Sequence, residues 1–198
     1  MPRRIIVGIT GATGAIFGVR LLEALGAAGV ETHLVLSRWG QQTVEHETGL
    51  SLAQLRERAG VVHGTANMAA TISSGSFRTD GMVIAPCSMR TAAAIAHGIG
   101  ESLVHRAADV VLKERRRLVL VPRETPLSEV HLENLLKLAR MGVTILPPMP
   151  AFYSRPRSVD DIVDHIVARV LDQFGIDAAF ASRWDGKLDH AAPVRPLK

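Results

Sequence analysis

Two short stretches carry residue types that could do chemistry together. Gly11-Ala12-Thr13-Gly14 follows a β-branched apolar run and precedes apolar residues at helical spacing from Ala15. Backbone amides at a strand-to-helix junction of this kind can hold a phosphate, a dinucleotide's or a flavin's. Ala85-Pro86-Cys87-Ser88-Met89-Arg90-Thr91 places hydroxyls and a guanidinium where a second strand runs into a helix. Val121-Pro122-Arg123-Glu124-Thr125 follows another strand, and Ser37 closes a further one. Hydroxyls, helix N-termini and an arginine on one edge make an anion site by dipole and hydrogen bonding. Ser88 and Thr125 also suit plain helix capping. Cys87 has no histidine in its motif and reads as packing rather than as a nucleophile.

Such residues need a scaffold that delivers strand ends to one edge. Arg4–Thr10, Thr32–Leu36, Met82–Ala85, Leu118–Val121 and Val143–Leu146 are short, apolar and rich in Val and Ile, with Gly60–His63 a weaker sixth run. Helical patterns separate them at Ala15–Ala28, Arg38–Glu47, Ser88–His97, Leu103–Glu114, Pro126–Met141 and Val159–Phe174. Thr125-Pro126 is expected to open the fifth helix and Gly142 to stop it, while Ser158-Val159-Asp160-Asp161 resembles an acidic capping box. Continuous apolar strands alternating with helices predict a parallel sheet covered on both faces, a three-layer α/β/α arrangement. Ligands in such sheets sit beyond the carboxyl ends of the strands. No repeat or linker divides the 198 residues, so one domain is expected over 1–198, with a mobile tail after about residue 185.

Composition narrows the partners. Hydrophobic residues make up 47% and charged residues 21%, and the lone cysteine leaves no internal disulfide, in keeping with a reducing compartment. The net charge of +4 and pI near 9.8 suit anionic ligands. The basic residues are scattered, however, and five Phe with one Tyr give no aromatic and basic stripe for nucleic acid. Small phosphorylated ligands are the better expectation. Arg3-Arg4 before an apolar run imitates a signal peptide, but Gly8, Thr10, Gly11, Thr13 and Gly14 interrupt that run. No other stretch reaches membrane-spanning length without charges. A cytoplasmic protein away from the membrane is expected. The spacing Gly11, Gly14, Gly18 invites a short-chain dehydrogenase reading. That chemistry needs a tyrosine with a lysine four residues on, whereas Tyr153 is followed by Arg157, and no acid ends the second strand to hold an NAD ribose.

Longer stretches are similar to those of the UbiX-type flavin prenyltransferases: "GITGATGAIFGVRLL", "SSGS", "APCSMRTAA", "RAADVVLKERRRLVLVPRETPL", "HLENLLKLARMG" and "PPMPAFYSRP". The resemblance runs from about Ile5 to Trp184. It implies a flavodoxin-like or Rossmann-like α/β fold in a large homo-oligomer, typically a dodecamer. It also implies transfer of a dimethylallyl unit from dimethylallyl phosphate to N5 and C6 of reduced FMN, the prenylated FMN then serving a UbiD-type decarboxylase. No metal is implied. By matching position, Gly11, Ala12, Thr13, Ser37, Ser88, Met89, Arg90, Thr91 and Arg123 line FMN. Arg106, Lys113, Glu124, Tyr153 and Arg169 contact dimethylallyl phosphate, and Trp184 matches an aromatic lid. Glu47 matches an acid at the reaction centre, and with Glu124, Lys113, Arg106 and Tyr153 it makes the candidate catalytic set.

Physical chemistry supports these roles while leaving others open. Cations around a leaving phosphate stabilise the charge that develops there, and Glu47, Glu124 or the phosphate itself could move protons. Arg169 also lies three residues before Asp172, the spacing of a surface ion pair. Lys113 belongs to the charge run Lys113–Arg117, Tyr153 could edge the core, and Glu47 could be one exposed acid among several. Thr13, Trp39-Gly40 and Met68 depart from the common family pattern. Three rival readings are a cysteine decarboxylase, a direct aromatic acid decarboxylase and a non-catalytic flavin-binding subunit. The first needs an active-site histidine, for which His46 is a poor match, and an Asn after Pro-x-Met that is missing here. The second lacks a residue set for its chemistry, and the intact Lys113, Glu124, Tyr153 and Arg169 set argues against the third.

Overall fold

The alternation of strand and helix is laid down as a single sheet. The computed structural model describes residues 3–181, 183, 184 and 186, so the tail expected to be mobile lies almost wholly outside the described residues. Strands β1 (Arg4–Ile9), β2 (Glu31–Leu36), β3 (Val61–His63), β4 (Gly81–Cys87), β5 (Arg117–Pro122) and β6 (Thr144–Ile145) stand in the order β3-β2-β1-β4-β5-β6. Every neighbouring pair is parallel. The helices are α1 (Ala15–Ala27), α2 (Arg38–Thr48), α3 (Leu52–Arg56), α4 (Met89–Ala96), α5 (Leu103–Lys113), α6 (Glu129–Arg140) and α7 (Val159–Gln173). This is the doubly wound Rossmann order 3-2-1-4-5-6, the Rossmann-like form of the expected α/β/α fold. Its direction reverses between β1 and β4, and the loops leaving those strands part to open a crevice.

Strand alternation sorts the core into two layers. Ile5, Val7 and Ile9 face α1 and α7, where Leu21, Leu22, Val167 and Leu171 are buried. Ile6, Met82 and Ile84 face the other layer, with Ile95, Val104, Ala107 and Leu138. Helix α1 comes close because Gly18 has no side chain. A Cβ there would lie 2.5 Å from the Ala85 carbonyl oxygen and 2.6 Å from Ile9 Cδ1. Gly18→Val is therefore expected to cost about 2–4 kcal/mol through overpacking against backbone. A clear fall in the thermal midpoint checks this, and an unchanged midpoint would show that α1 has room to retreat.

Two expectations about helix ends fare differently. The Ser158 capping box of α7 is present, its Oγ accepting from the Asp161 amide at 3.1 Å. The proposed Thr125-Pro126 start of α6 is not. Ser128 is the cap, its Oγ accepting from the His131 amide at 3.3 Å, and the Thr125–Pro126 segment belongs to the preceding loop. Helix α3 was not expected; Ser51 and Gln54 close a full capping box around its five residues.

Candidate functional site

The crevice at the reversal point is a cleft of about 480 Å³, lined by Gly11, Ser37, Trp39, Ser88, Arg90 and Thr91 among others. Thr10 ties its floor together. The buried hydroxyl donates to the Pro86 carbonyl at 2.9 Å and accepts the Ser88 amide at 2.8 Å, joining the ends of β1 and β4. Ser88 then caps α4, its Oγ accepting from the Thr91 amide at 3.3 Å. Ser37 caps α2 in the same way, accepting from the Gly40 amide at 2.9 Å, while its own amide donates to the Ile9 carbonyl at 3.0 Å. Gly11 sits against Trp39, whose side chain is 67% exposed; a Cβ on Gly11 would lie 2.4 Å from Trp39 Cβ.

The amides of Gly14 and Ala15, at the start of α1, both donate to Glu47 Oε2 at 2.8 Å. The positive end of α1 thus holds a carboxylate of the chain itself, which the helix dipole favours as it would a phosphate. The cleft itself is lined by the hydroxyl residues Ser37, Ser88 and Thr91, the last two at the N-terminus of α4. Arg90 pairs with Glu101 at 3.1 Å on the exposed rim. His105, buried on the wall, has no partner for Nδ1 among the described residues, and burial pulls its imidazole below the usual range.

A second cleft of about 250 Å³ is lined by Tyr153, His165, Arg169, Asp172, Arg183 and Trp184, with Ala168 and Ala181. Tyr153 meets Trp184 edge to face at 5.5 Å and His165 at 5.8 Å. Arg169 Nη1 donates to Asp172 Oδ2 and Arg183 Nη2 to Asp172 Oδ1, each at 2.6 Å. The hydrogen bond from Arg183, with the charges of both guanidiniums, holds the Asp172 carboxyl below the usual range against the pull of burial. The stabilisation is present above the ordinary carboxylate value and fades as pH falls through the lowered one. Arg169 is thus ion-paired with Asp172 and also lines this cleft.

The remaining expected residues lie elsewhere. Arg106 Nε donates to the Ser73 carbonyl at 3.1 Å and Nη1 to Asp109 at 2.8 Å. Lys113 pairs with Glu114, and the serine loop packs so closely that a Cβ on Gly75 would lie 2.8 Å from Lys113 Nζ. Lys113 is not among the residues lining the Tyr153 cleft, so the expected grouping of Lys113, Tyr153 and Arg169 is not assembled within one chain. Arg123 and Glu124 are exposed beyond β5, where the Arg123 amide donates to the Cys87 carbonyl at 3.3 Å. Ala12 and Thr13 complete the turn beside Gly11, and Met89 is buried under the first turn of α4. Sequence reading passed over Thr10, Asp172 as a bridge, His165 and Arg183. The usable signals were a hydroxyl ending an apolar strand and an arginine next to Trp184.

Cys87 is fully buried, and burial pushes its thiol up to about 12. It stays protonated across the physiological range, which removes the nucleophile reading. Native protein at pH 8 is expected to resist iodoacetamide and to react once unfolded by urea. Native labelling at the free-thiol rate would contradict this.

The family profile described as Flavoprotein matches residues 1–171, and a doubly wound sheet with hydroxyl-capped helices at its reversal point is in keeping with that class. The chain belongs, within that class, to the UbiX-like flavin prenyltransferases. It is 68% identical over 193 residues to a probable UbiX-like flavin prenyltransferase of Streptomyces sp. (strain D7), covering 97% of this chain and 96% of that one. A crystal structure of AnUbiX (PadA1) in complex with FMN and dimethylallyl pyrophosphate superposes with a TM-score of 0.94 at 52% identity, covering 95% of this chain and 100% of that one. A dodecameric FMN-dependent UbiX-like decarboxylase from Escherichia coli O157:H7 superposes with a TM-score of 0.91 at 61% identity, covering 92% and 100%. Among the described residues no group of His, Cys, Asp or Glu is arranged to hold a metal, and no helix is long and apolar enough to cross a membrane.

Proposed function

We propose that the chain transfers a dimethylallyl group from dimethylallyl phosphate to N5 and C6 of reduced FMN, releasing phosphate. The observation that carries this reading is the pairing of two different clefts on one chain. One offers hydroxyls and a helix N-terminus beside a bare Gly11, and the other offers two guanidiniums beside aromatic rings. The first, at about 480 Å³, has the size of a small-ligand pocket and the donor set for a flavin phosphate. Ser37, Ser88, Thr91 and Arg123 hold that phosphate, and Gly11 to Thr13 lie along the flavin. Reduced FMN, when bound, supplies the nucleophilic nitrogen and carbon.

Arg169 and Tyr153 hold the phosphate of the second substrate. As its allylic C–O bond breaks, the electron pair leaves with phosphate, and cations around that group stabilise the growing charge. Tyr153 and Trp184 shelter the allylic carbon with their ring faces. Glu47 and Glu124 are the acids placed to carry protons. Glu47, fixed on two amides of α1, is held in one orientation for that task.

Arg106, Lys113 and Glu124 lie outside the Tyr153 cleft, and neighbouring copies complete the centre. The exposed Leu132 and Leu136, one turn apart on α6, support such self-association, and the dodecameric relative supplies a pattern for it. The chain folds as one domain, works in the cytoplasm, and hands its product to a UbiD-type decarboxylase. The test is anaerobic incubation of protein, reduced FMN and dimethylallyl phosphate, followed by mass measurement of the extracted flavin. A gain of one C5H8 unit is expected. Unmodified FMN alone would overturn the reading, and carbon dioxide release from an aromatic acid without any partner would favour the decarboxylase alternative.

A further inference from the structure

We propose that Arg183 is a second phosphate-binding guanidinium of the Tyr153 cleft, and that Asp172 is the positioning residue that holds it beside Arg169. The inference rests on the prenyl phosphate reading and extends it to residues that reading left out. Asp172 gives one carboxylate oxygen to each arginine, Oδ2 to Arg169 and Oδ1 to Arg183, both at 2.6 Å. The carboxylate lies deeper than the cations, with 17% of its side chain exposed against 54% for each arginine. The two guanidiniums therefore fan outward from a common anchor and keep most of their N–H donors for the cleft.

Charge and shape point the same way. Two adjacent cations repel, and one carboxylate between them offsets a single charge, leaving a net positive pair. A phosphate monoester presents three terminal oxygens, which suits two planar forks better than one. Trp184 follows Arg183 in the chain, and its ring meets Tyr153 at 5.5 Å. Phosphate donors and apolar rings thus share one cleft, as a short prenyl phosphate requires. The competing assignment is that Arg183 only ties the segment around Trp184 to α7.

Orthophosphate separates the two, because it has no prenyl group for Trp184 to touch. Its binding to FMN-loaded protein is measured by calorimetry, alongside steady-state prenylation with dimethylallyl phosphate, for wild type, R183A, R183K, D172N and W184A. R183A is expected to weaken orthophosphate and raise KM by about fivefold to twentyfold, the weight of one charge-assisted bond at a half-exposed site. FMN affinity is expected to stay unchanged. R183K should recover part of the loss, since a point charge replaces the fork. D172N should weaken orthophosphate as well, because an amide offers one oxygen where two are used. W184A should raise KM and leave orthophosphate binding intact. Orthophosphate binding in R183A equal to wild type, or no binding in wild type, would overturn the proposal. A wild type that binds orthophosphate yet prenylates nothing would instead overturn the reading of the reaction, and the titration of R183A would still decide the role of Arg183.

Discussion

Arg169→Ala is expected to keep its FMN and to prenylate it tens- to several-hundred-fold more slowly. Arg169 lies on α7 in the wall of the Tyr153 cleft and does not line the cleft beside Gly11 and Ser88. Its loss should therefore spare the flavin. The leaving phosphate gains negative charge as the C–O bond breaks, so a guanidinium there acts on kcat as well as on binding. Removing one such donor costs on the order of 2–4 kcal/mol in the barrier. The Asp172 pairing does not by itself account for that size of effect, because a half-exposed ion pair contributes about 0–1 kcal/mol. Flavin absorbance per protein and the prenylation rate at saturating dimethylallyl phosphate read the two arms. A rate near wild type would reduce Arg169 to its ion pair.

Gly11→Val is expected to do the reverse, emptying the protein of flavin while leaving the Tyr153 cleft able to bind phosphate. A Cβ at residue 11 falls 2.4 Å from Trp39 Cβ, a distance that forces movement. Helix α2 cannot simply back away, since Gly40 sits against the Ile9 carbonyl and the Ser37 amide is bonded to that same oxygen. Displacement therefore carries Ser37 and Trp39 with it, and both line the cleft. The loss should reach roughly a hundredfold in FMN affinity, corresponding to about 3 kcal/mol at the upper end of overpacking costs. Flavin fluorescence titration measures it. Wild-type affinity would show that Trp39 swings clear and that Gly11 is no part of the flavin wall.

The strands were legible because a parallel sheet buried on both faces demands near-continuous apolar runs; β1, β4 and β5 carry them, and β2 does from Leu34 to Leu36, after the buried polar Thr32 and His33. The run at β3 read weakly since only three residues pair, and only against β2. The start of α6 misled because Thr125-Pro126 fits the cap-then-proline pattern, while the chain turns into the helix three residues later at Ser128. The five residues of α3 are too few to show a period. The first cleft was readable at Ser37 and Ser88, since both hydroxyls close strands. Glu47 on the amides of α1 was not readable as a cap, because that contact spans more than thirty residues and depends on how α2 leans. Asp172 was seen with Arg169 at helical spacing, but Arg183 reaches it from a segment without regular structure.

The two edges of the sheet are stubs, β3 with three residues and β6 with two. Stubs this short offer a stray strand few unpaired amides and carbonyls, so extension into a ribbon gains little. Copies of the chain can be packed at high local concentration without inviting amyloid-like stacking. Any association is left to helix faces, where rotational symmetry can close a shell and stop its growth.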